Sequence, residues 1–518
     1  MHGGQAPSIG VPRWAHWPRA VLTVGPAGLL VLVALAVVAA RAGVPQDVTL
    51  PDWWGRWPHR QPGALHGWVA AGIVLVGVLC AAWVVLARRL LRPRDTATDT
   101  ARAVPARRRV GVPALAGIAA AWSLPLLLTG PLGSLDVQSY AAIGRLATLG
   151  YDPYVTPPGW LGGAYGAAVD PMWRWTPTPY GPLQVRLLRE LVRVSGEHVG
   201  VAVLLIRAVA VLGAVGAVAL AVRAASPADR VAVFVLTGLN PVLLLHVVSG
   251  AHLDVLVGGL AVLVVALTRS GRPALAMALA VGATFLKLPG AVLVAFVLVD
   301  LVRAGPRTAR PGAVLRTVGG GLGAVGLVLV LCPDPFGWTA ALGVPGISRN
   351  GTAPSTWTSY LVAVLTGHMS GAGLSVAFTV GRGMTALVGA VAAGLLLWHA
   401  TSGTRAAAFR GVGWALVVLA LTAPALYPWY LCWGLFAAAL GSGIRGRVLL
   451  MVLSCALCVA ACASDGTVVL VTWTVVLFAV VGWTVWVARG LVTGRSLVTG
   501  RPAVASARSR AAAQMRAS

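Results

Sequence analysis

A chain of 518 residues with 58% hydrophobic and 10% charged side chains, and a mean hydropathy of +0.83, is not an ordinary soluble globular protein. Its formal net charge of +26 would suit nucleic-acid binding, but the basic residues cluster in short segments between apolar runs. Short basic segments of this kind are typical of cytoplasmic loops and of contact with anionic lipids. We therefore expect membrane lipids as partners and no nucleic acid.

Apolar runs recur from end to end, and runs of about 20 residues can cross a hydrocarbon core of about 30 Å. Lipid offers the backbone no hydrogen bonds, so such runs are predicted to be helices. Basic flanks predict a cytoplasmic N-terminus (1–19), then two membrane helices and a basic cytoplasmic segment (20–110). Residues 111–489 are predicted to form the main transmembrane domain, and 490–518 a basic, disordered cytoplasmic tail. The predicted class is an all-α polytopic membrane protein with about 14 transmembrane helices.

Two polar stretches, 133–197 and 333–371, lie between spans whose flanking charges place both outside the membrane. The first carries Asp136, which precedes a helix-like stretch at 137–149. The local sequence leaves two roles open for Asp136, a helix N-cap or a catalytic carboxylate. Farther on, residues 273–302 run between two basic patches, so we expect either a pair of short helices or a re-entrant hairpin.

The chain has only 14 carboxylates, and any acid–base chemistry must draw on them. Asp152 and Asp170 each precede a proline and are predicted to form turns. Glu190 lies at helical spacing from several arginines, which favours surface ion pairs. Asp254 opens an apolar span, where an ionisable group indicates function or a specific partner.

Lys287 is the only lysine of the chain and lies in the apolar segment Phe285-Leu286-Lys287-Leu288-Pro289. Its side chain could extend to the membrane interface, or it could bind a phosphate as a point charge. The break at Pro289 would place it near the outer face, which favours the phosphate. No carboxylate pair, histidine cluster or nucleotide motif indicates a metal or another cofactor.

Several strings in the first polar stretch occur together in one known family. They are Leu135-Asp136-Val137-Gln138-Ser139-Tyr140, Gly144-Arg145, Gly150-Tyr151-Asp152-Pro153-Tyr154 and Thr176-Pro177-Thr178-Pro179-Tyr180-Gly181-Pro182-Leu183. Downstream matches are Asn240-Pro241, His252-Leu253-Asp254, Lys287-Leu288-Pro289, Trp357 and Tyr427-Pro428-Trp429-Tyr430 with Trp433. Over roughly residues 110–445 the chain resembles the actinobacterial polyprenol-phosphomannose-dependent α-1,6-mannosyltransferases, which are GT-C-type membrane glycosyltransferases. One departure is Ala251, where the resemblance leads us to expect glycine before His252.

The resemblance implies a GT-C-like helical bundle whose large first extracytoplasmic loop is catalytic. It implies an enzyme of the plasma membrane, active on its extracytoplasmic face and without a cofactor or metal. The donor would be polyprenyl-phosphate mannose, and the acceptor the α-1,6-mannan backbone of lipomannan and lipoarabinomannan. The reaction would invert the anomeric carbon.

The resemblance also implies roles for individual residues. Asp136 would be the general base, and Lys287 with Arg145 or Arg349 would bind the donor phosphate. The expected sugar- or acceptor-binding residues are Tyr140, Tyr180, His252, Asp254, Trp357, Tyr427, Trp429 and Tyr430.

Three alternatives remain at this point. A transporter or flippase of lipid-linked sugars would also show many spans and buried charges. A non-catalytic assembly protein would tolerate Asp136→Ala. A GT-C transferase could also move another sugar, such as arabinose or glucose.

Overall fold

The computed structural model describes residues 19–42, 65–91, 110–132, 134–303, 311–401, 403–462 and 467–493. These residues form helices and connecting turns, without a β-strand among them, which confirms the predicted all-α class. The predicted cytoplasmic N-terminus and tail, and most of the basic segment that ends at residue 110, lie outside the described residues.

The α-helices of the described residues follow in chain order. They are α1 (Arg19–Ala42), α2 (Leu65–Leu91), α3 (Val112–Leu127), α4 (Asp136–Thr148), α5 (Gly163–Ala167), α6 (Pro182–Val194), α7 (Val199–Ala224), α8 (Arg230–Thr237) and α9 (Asp254–Arg269). The chain continues with α10 (Pro273–Leu286), α11 (Ala291–Arg303), α12 (Pro311–Leu331), α13 (Pro354–Thr366), α14 (Gly371–Thr401), α15 (Arg405–Leu421), α16 (Cys432–Gly441), α17 (Ile444–Ala460) and α18 (Thr467–Thr493).

Several of these helices suit a membrane by length and composition. Within the described ranges, four are long and apolar enough to cross it: Trp68–Leu91, Val199–Ala224, Gly312–Leu331 and Gly371–Thr401. A bent pair, Leu243–Ser249 with Asp254–Arg269, would add a fifth span if counted as one. The helices thus fit a membrane protein, and the count of about 14 spans stays a prediction.

The chain bends sharply between a π-helical turn and α9. The π-helix covers Leu243–Ser249, and its axis meets that of α9 at 113°. Ala251 lies inside the bend with a φ of +59°, a left-handed conformation that suits glycine better than alanine. The glycine expected from the resemblance therefore corresponds to a backbone requirement. The bend directs His252 and Asp254 into the interior, where both are buried.

The predicted break near Lys287 is confirmed. Helices α10 and α11 are separated by Lys287 and the 3-10 turn Leu288–Gly290. Pro289 cannot donate a backbone hydrogen bond, and a side chain at Gly290 would collide with the backbone of Ala283. The segment is therefore a pair of short helices that fold back on each other.

Much of the predicted outer loop 133–197 is helical, and part of it is packed into the fold. The helix-like stretch at 137–149 is α4, which buries nine of its 13 residues. At Gly144, α4 approaches α6 so closely that a Cβ atom would meet the carbonyl group of Leu188. This contact brings the N-terminus of α4, where Asp136 lies, against the turn after α10 and the chain around residue 429.

Candidate active site

A cavity of about 360 Å³ lies where five segments of the chain meet. They are the start of α4, residues 173–180, the turn after α10, residues 342–345 and residues 419–433, and Pro158 and Ala386 complete the lining. Its lining is mostly apolar and aromatic, with a few polar groups among them. The residues of the lining that carry polar or aromatic chemistry are Asp136, Ser139, Trp173, Thr176, Thr178, Tyr180, Lys287, Thr422, Tyr427, Trp429, Tyr430 and Trp433.

Asp136 is the first residue of α4, and its carboxylate faces this cavity. Leu135 occupies the N-cap position, and the backbone N–H of Asp136 donates to the hydroxyl of Ser134 at 3.1 Å. The capping alternative from the sequence is therefore not what the structure shows. The side chain is only 13% exposed. Burial raises the pKa of Asp136 to about 7, although the positive charge of Lys287 acts in the opposite direction.

The other carboxylates of the same stretch are engaged in local structure. Asp152 and Asp170 accept the backbone N–H groups of Tyr154 and Met172, both at 2.8 Å, as the predicted turns require. Glu190 pairs with Arg186 at 3.0 Å and with Arg193 at 3.2 Å, as predicted. Glu197 pairs with Arg145. Within residues 134–197, Asp136 is thus the carboxylate that remains for chemistry.

A group of rings surrounds Asp136. The Nδ1 atom of His252 lies 3.7 Å from the Asp136 carboxylate and 3.4 Å from the Tyr140 hydroxyl. The ring of Trp429 stacks on His252 with centroids 3.6 Å apart, and Tyr427 stacks on Trp429 at 4.7 Å. Tyr180 packs edge-on against Tyr140 at 5.3 Å. Five of the predicted sugar-binding residues therefore lie together.

Lys287 forms a buried ion pair that the sequence did not assign. Its Nζ atom lies 2.7 Å from Oδ1 of Asp254, which also accepts the indole N–H of Trp433 at 2.6 Å. Lys287 lies over the rings of Tyr180, Tyr430 and Trp433 at 5.3, 4.7 and 5.5 Å. Such faces attract a cation and hold it in place. The sequence predicted either a function or a specific partner for Asp254, and Lys287 is that partner.

Six of the predicted residues do not line this cavity. Tyr140, His252 and Asp254 are buried next to lining residues: Tyr140 packs on Tyr180, His252 on Trp429, and Asp254 pairs with Lys287. The other three lie elsewhere. Arg145 pairs with Glu197 at the far end of α4. Arg349 lies over the ring of Phe378 at 5.1 Å, and Trp357 is 65% exposed with its indole N–H on the carbonyl of Gly351. Their assignments to phosphate or sugar stay predictions.

Six of the polar or aromatic lining residues were not among the predicted site residues: Ser139, Trp173, Thr176, Thr178, Thr422 and Trp433. Trp433 follows Tyr430 by three positions, and Ser139 follows Asp136 by three. Residues three apart share a helix face, so this spacing was a signal for both. In the part of the chain that the structure describes, no three His, Cys, Asp or Glu side chains could share a metal ion.

Two known sequence families match the chain. The N-terminal domain of alpha-(1->6)-mannopyranosyltransferases matches residues 22–303, and the MptB C-terminal domain matches residues 355–491. The first match alone covers more than half of the chain and includes Asp136, Asp254 and Lys287. The chain belongs to the alpha-(1->6)-mannopyranosyltransferase family. The predicted family is confirmed, and with it a glycosyltransferase.

Relatives of this chain are found in mycobacteria and corynebacteria. Alpha-(1->6)-mannopyranosyltransferase A of Mycobacterium tuberculosis is 31% identical over 391 residues, which are 72% of either chain. A probable alpha-(1->6)-mannopyranosyltransferase of Mycolicibacterium smegmatis is 30% identical, over 64% of this chain and 66% of the relative. Alpha-(1->6)-mannopyranosyltransferase B of Corynebacterium glutamicum is 26% identical, over 71% of this chain and 64% of the relative. No solved structure matches the chain.

Proposed function

We propose that this protein transfers mannose from polyprenyl-phosphate mannose to the growing α-1,6-mannan of lipomannan and lipoarabinomannan. The observation that carries the proposal is the cavity that holds a nearly buried carboxylate, Asp136, and a cation, Lys287, among aromatic rings. The names of the related mannopyranosyltransferases support the sugar and the linkage. A transporter or a scaffold would not require this combination, and the family favours mannose over arabinose or glucose.

The reaction requires one bond to form and one to break. A hydroxyl oxygen of the acceptor bonds to the anomeric carbon, while the bond from that carbon to the phosphate oxygen breaks. The phosphate leaves with the electron pair, and attack from the opposite face inverts a β-linked donor to an α-linked product. Asp136 takes the proton of the attacking hydroxyl. A pKa of about 7 suits this role, because a base works best when its pKa lies near the working pH.

Lys287 is the group that would neutralise the phosphate. It lines the cavity at the turn after α10, and its aromatic surroundings exclude water. A charge interaction is stronger where water is excluded than at an open surface. The apolar remainder of the lining suits the start of the polyprenyl chain. The rings of Tyr180, Tyr427, Trp429 and Tyr430 would surround the sugar. Tyr140 packs behind Tyr180, and His252 would orient the Asp136 carboxylate.

The proposed reaction takes place at the outer face of the plasma membrane. The charge pattern of the sequence supports this location, since 133–197 and 333–371 lie on the side opposite the basic loops. Both stretches contribute to the cavity, the first through Asp136 and the second through Leu342 and Val344.

The test is transfer of labelled mannose from polyprenyl-phosphate mannose to a short α-1,6-mannoside in membranes. We expect Asp136→Asn to lower the rate by about 10²–10⁴-fold, the usual contribution of a general base. Asp170→Asn is the matched control, because asparagine can form the same turn. Equal rates for wild type and Asp136→Asn would contradict the assignment of Asp136 as the general base. No transfer by the wild type would reject the donor.

A further inference from the structure

A second cavity, of about 350 Å³, lies beside the first and shares no lining residue with it. Its polar and aromatic lining consists of Tyr151, Asp152, Tyr154, Arg186, Arg189 and Asp334. The wall between the cavities is thin: the backbone N–H of Thr178, in the first lining, donates to the carbonyl of Pro153, in the second, at 3.1 Å. The proposed reaction makes no use of this second cavity.

Two hydrogen-bonding groups of the second cavity lack a partner among the described residues. Tyr154 is 7% exposed, and its buried hydroxyl makes no hydrogen bond. The Nε atom of Arg189 is also buried without a partner. Arg186, by contrast, already donates to the carbonyl of Leu331 and pairs with Glu190. Buried polar groups normally have partners, so Tyr154 and Arg189 are available to a ligand.

The second cavity also has hydrogen-bond acceptors, the carboxylates of Asp152 and Asp334. Asp152 and Asp334 each use Oδ1 to accept backbone N–H groups, which leaves Oδ2 of both without a hydrogen bond in the described structure. Burial raises the pKa of the Tyr154 hydroxyl, and the charges of Asp334 and Asp152 add to the effect. The Asp334 carboxylate also lies beside the Tyr154 ring, because a Cβ atom at Gly337 would meet both side chains.

The charged and polar groups that line the second cavity indicate the chemical class of its ligand. Two arginines and two carboxylates balance in charge, so the cavity does not favour an anion such as phosphate. A pyranose offers hydroxyls that both donate and accept, which matches the mixed groups of the cavity. Tyr151, 55% exposed, presents a ring face to which the apolar face of a sugar could pack.

We propose that the second cavity binds a sugar residue of the acceptor chain, away from the hydroxyl that reacts. This inference rests on the proposed function, since it assumes a saccharide acceptor. The start of α6 connects the cavities: Tyr180 lines the first and Pro182 the second. An acceptor long enough to reach both cavities would use remote contacts to hold its reacting hydroxyl at Asp136.

The variants for the test are Tyr154→Phe, which removes only the unpartnered hydroxyl, and Arg189→Gln. Arg193→Gln is the matched control, because Arg193 is on the same helix but does not line the cavity. We expect wild type to have a higher kcat/KM with α-1,6-mannohexaose than with mannobiose. Each variant should lose about five- to tenfold with the hexaose, the effect of one hydrogen bond, and should keep its rate with the biose. Equal losses with both acceptors, or no loss, would overturn the inference.

A binding measurement separates this inference from the proposed reaction. Calorimetry of mannohexaose with the detergent-solubilised full chain should show weaker binding for Tyr154→Phe than for wild type and Arg193→Gln. That result would support the second cavity even if wild type transferred no mannose, in which case only the proposed reaction would fail. Absence of hexaose binding, or displacement of the hexaose by inorganic phosphate, would overturn the second cavity while leaving transfer to mannobiose intact.

Discussion

The carboxylate of Asp136 combines two properties that usually exclude each other. It is nearly buried, which disfavours its charge, yet a general base must be ionised. Its position at the first turn of α4 and the nearby charge of Lys287 favour the ionised form and offset part of the burial. The local sequence left a helix cap and a catalytic carboxylate open for this residue, and the family resemblance implied the second role. Its burial depends on the packing of α4.

The first prediction concerns pH. Because the pKa of Asp136 is raised to about 7, the carboxyl is protonated, and inactive as a base, below that pH. We expect kcat/KM for mannosyl transfer to rise with pH and to reach half its maximum near pH 7. Rates between pH 5 and 9 in detergent would measure this. A profile without change between pH 5.5 and 8 would contradict the assignment of Asp136.

A stability measurement provides a control that does not depend on activity. The folded pKa of about 7 lies above the unfolded value of 3.8, so this group costs stability that grows as the pH rises from about 4 and is complete above about pH 7. Asp136→Asn should therefore raise the Tm at pH 8, and the gain should shrink as the pH falls below 7 and the wild-type carboxyl binds its proton. A gain of equal size at pH 8 and 5 would point to packing instead.

The second prediction separates the two roles of Lys287. In Lys287→Met the charge of Asp254, which is 2% exposed, is left without its cation, and we expect a loss of about 3–5 kcal/mol in stability. Adding Asp254→Asn should recover most of that loss, since asparagine can still accept the indole N–H of Trp433. Thermal unfolding of both variants would measure this.

Transfer kinetics complete that comparison. The double variant should stay slow, with a raised KM for the lipid donor, because no cation faces the phosphate. A stable double variant with the wild-type KM would show that Lys287 stabilises the fold and does not bind the donor. The sequence could not predict this pairing, since Asp254 and Lys287 are 33 residues apart and meet only through the bend before α9.

At the level of elements, hydrophobic pattern and breaker residues predicted most boundaries. The polar stretch predicted to end at residue 197 is followed by the apolar helix α7 (Val199–Ala224), and the break at Lys287 corresponds to the gap between α10 and α11. The π-helical turn was not predicted, because its residues have the composition of an ordinary helix. The short helices of 133–197 were also missed in part, since their polar composition is typical of a loop.

The third prediction tests the bend between the π-helix and α9. Ala251 adopts a φ of +59°, which costs about 1–2 kcal/mol for an L-residue with a Cβ atom. Ala251→Gly should stabilise the protein by roughly 0.5–1 kcal/mol after the greater flexibility of unfolded glycine is allowed for. Chemical unfolding in detergent would measure it. Ala390→Gly, at an exposed position within α14, should instead destabilise, and the same sign for both would refute the assignment of strain.

At the level of the whole molecule, charge placement predicts which side of the membrane each segment faces. We expect Met172→Cys and Ile347→Cys, both at exposed positions, to react with a membrane-impermeant maleimide on intact cells. Arg272→Cys should react only after permeabilisation. The native cysteines are buried except Cys462, which is half-buried, so their background should be low. Labelling of Arg272→Cys in intact cells would reverse the predicted orientation.

Whole-molecule packing also decides which predicted residues meet. Asp136, Tyr140, Tyr180, His252, Asp254, Lys287, Tyr427, Trp429 and Tyr430 come from distant parts of the chain and lie together. Arg145 and Arg349 were expected from the family resemblance, which does not determine the distance between side chains. The buried Arg207, which donates to carbonyls of Leu126, Thr129 and Val248 and so joins the ends of three segments, carried no sequence signal.

The ion pair of Lys287 and Asp254 also has a consequence for turnover. In the proposed reaction the donor is a phosphodiester with one negative charge, and the lipid product is a phosphate monoester with nearly two. An unpaired cation would therefore bind the lipid product more strongly than the donor. Lys287 is not an unpaired cation, because its Nζ atom forms an ion pair with Asp254 at 2.7 Å, which partly neutralises its charge. The shared lysine would thus limit product inhibition, and carrier release would be faster than a lone lysine in the same apolar place allows.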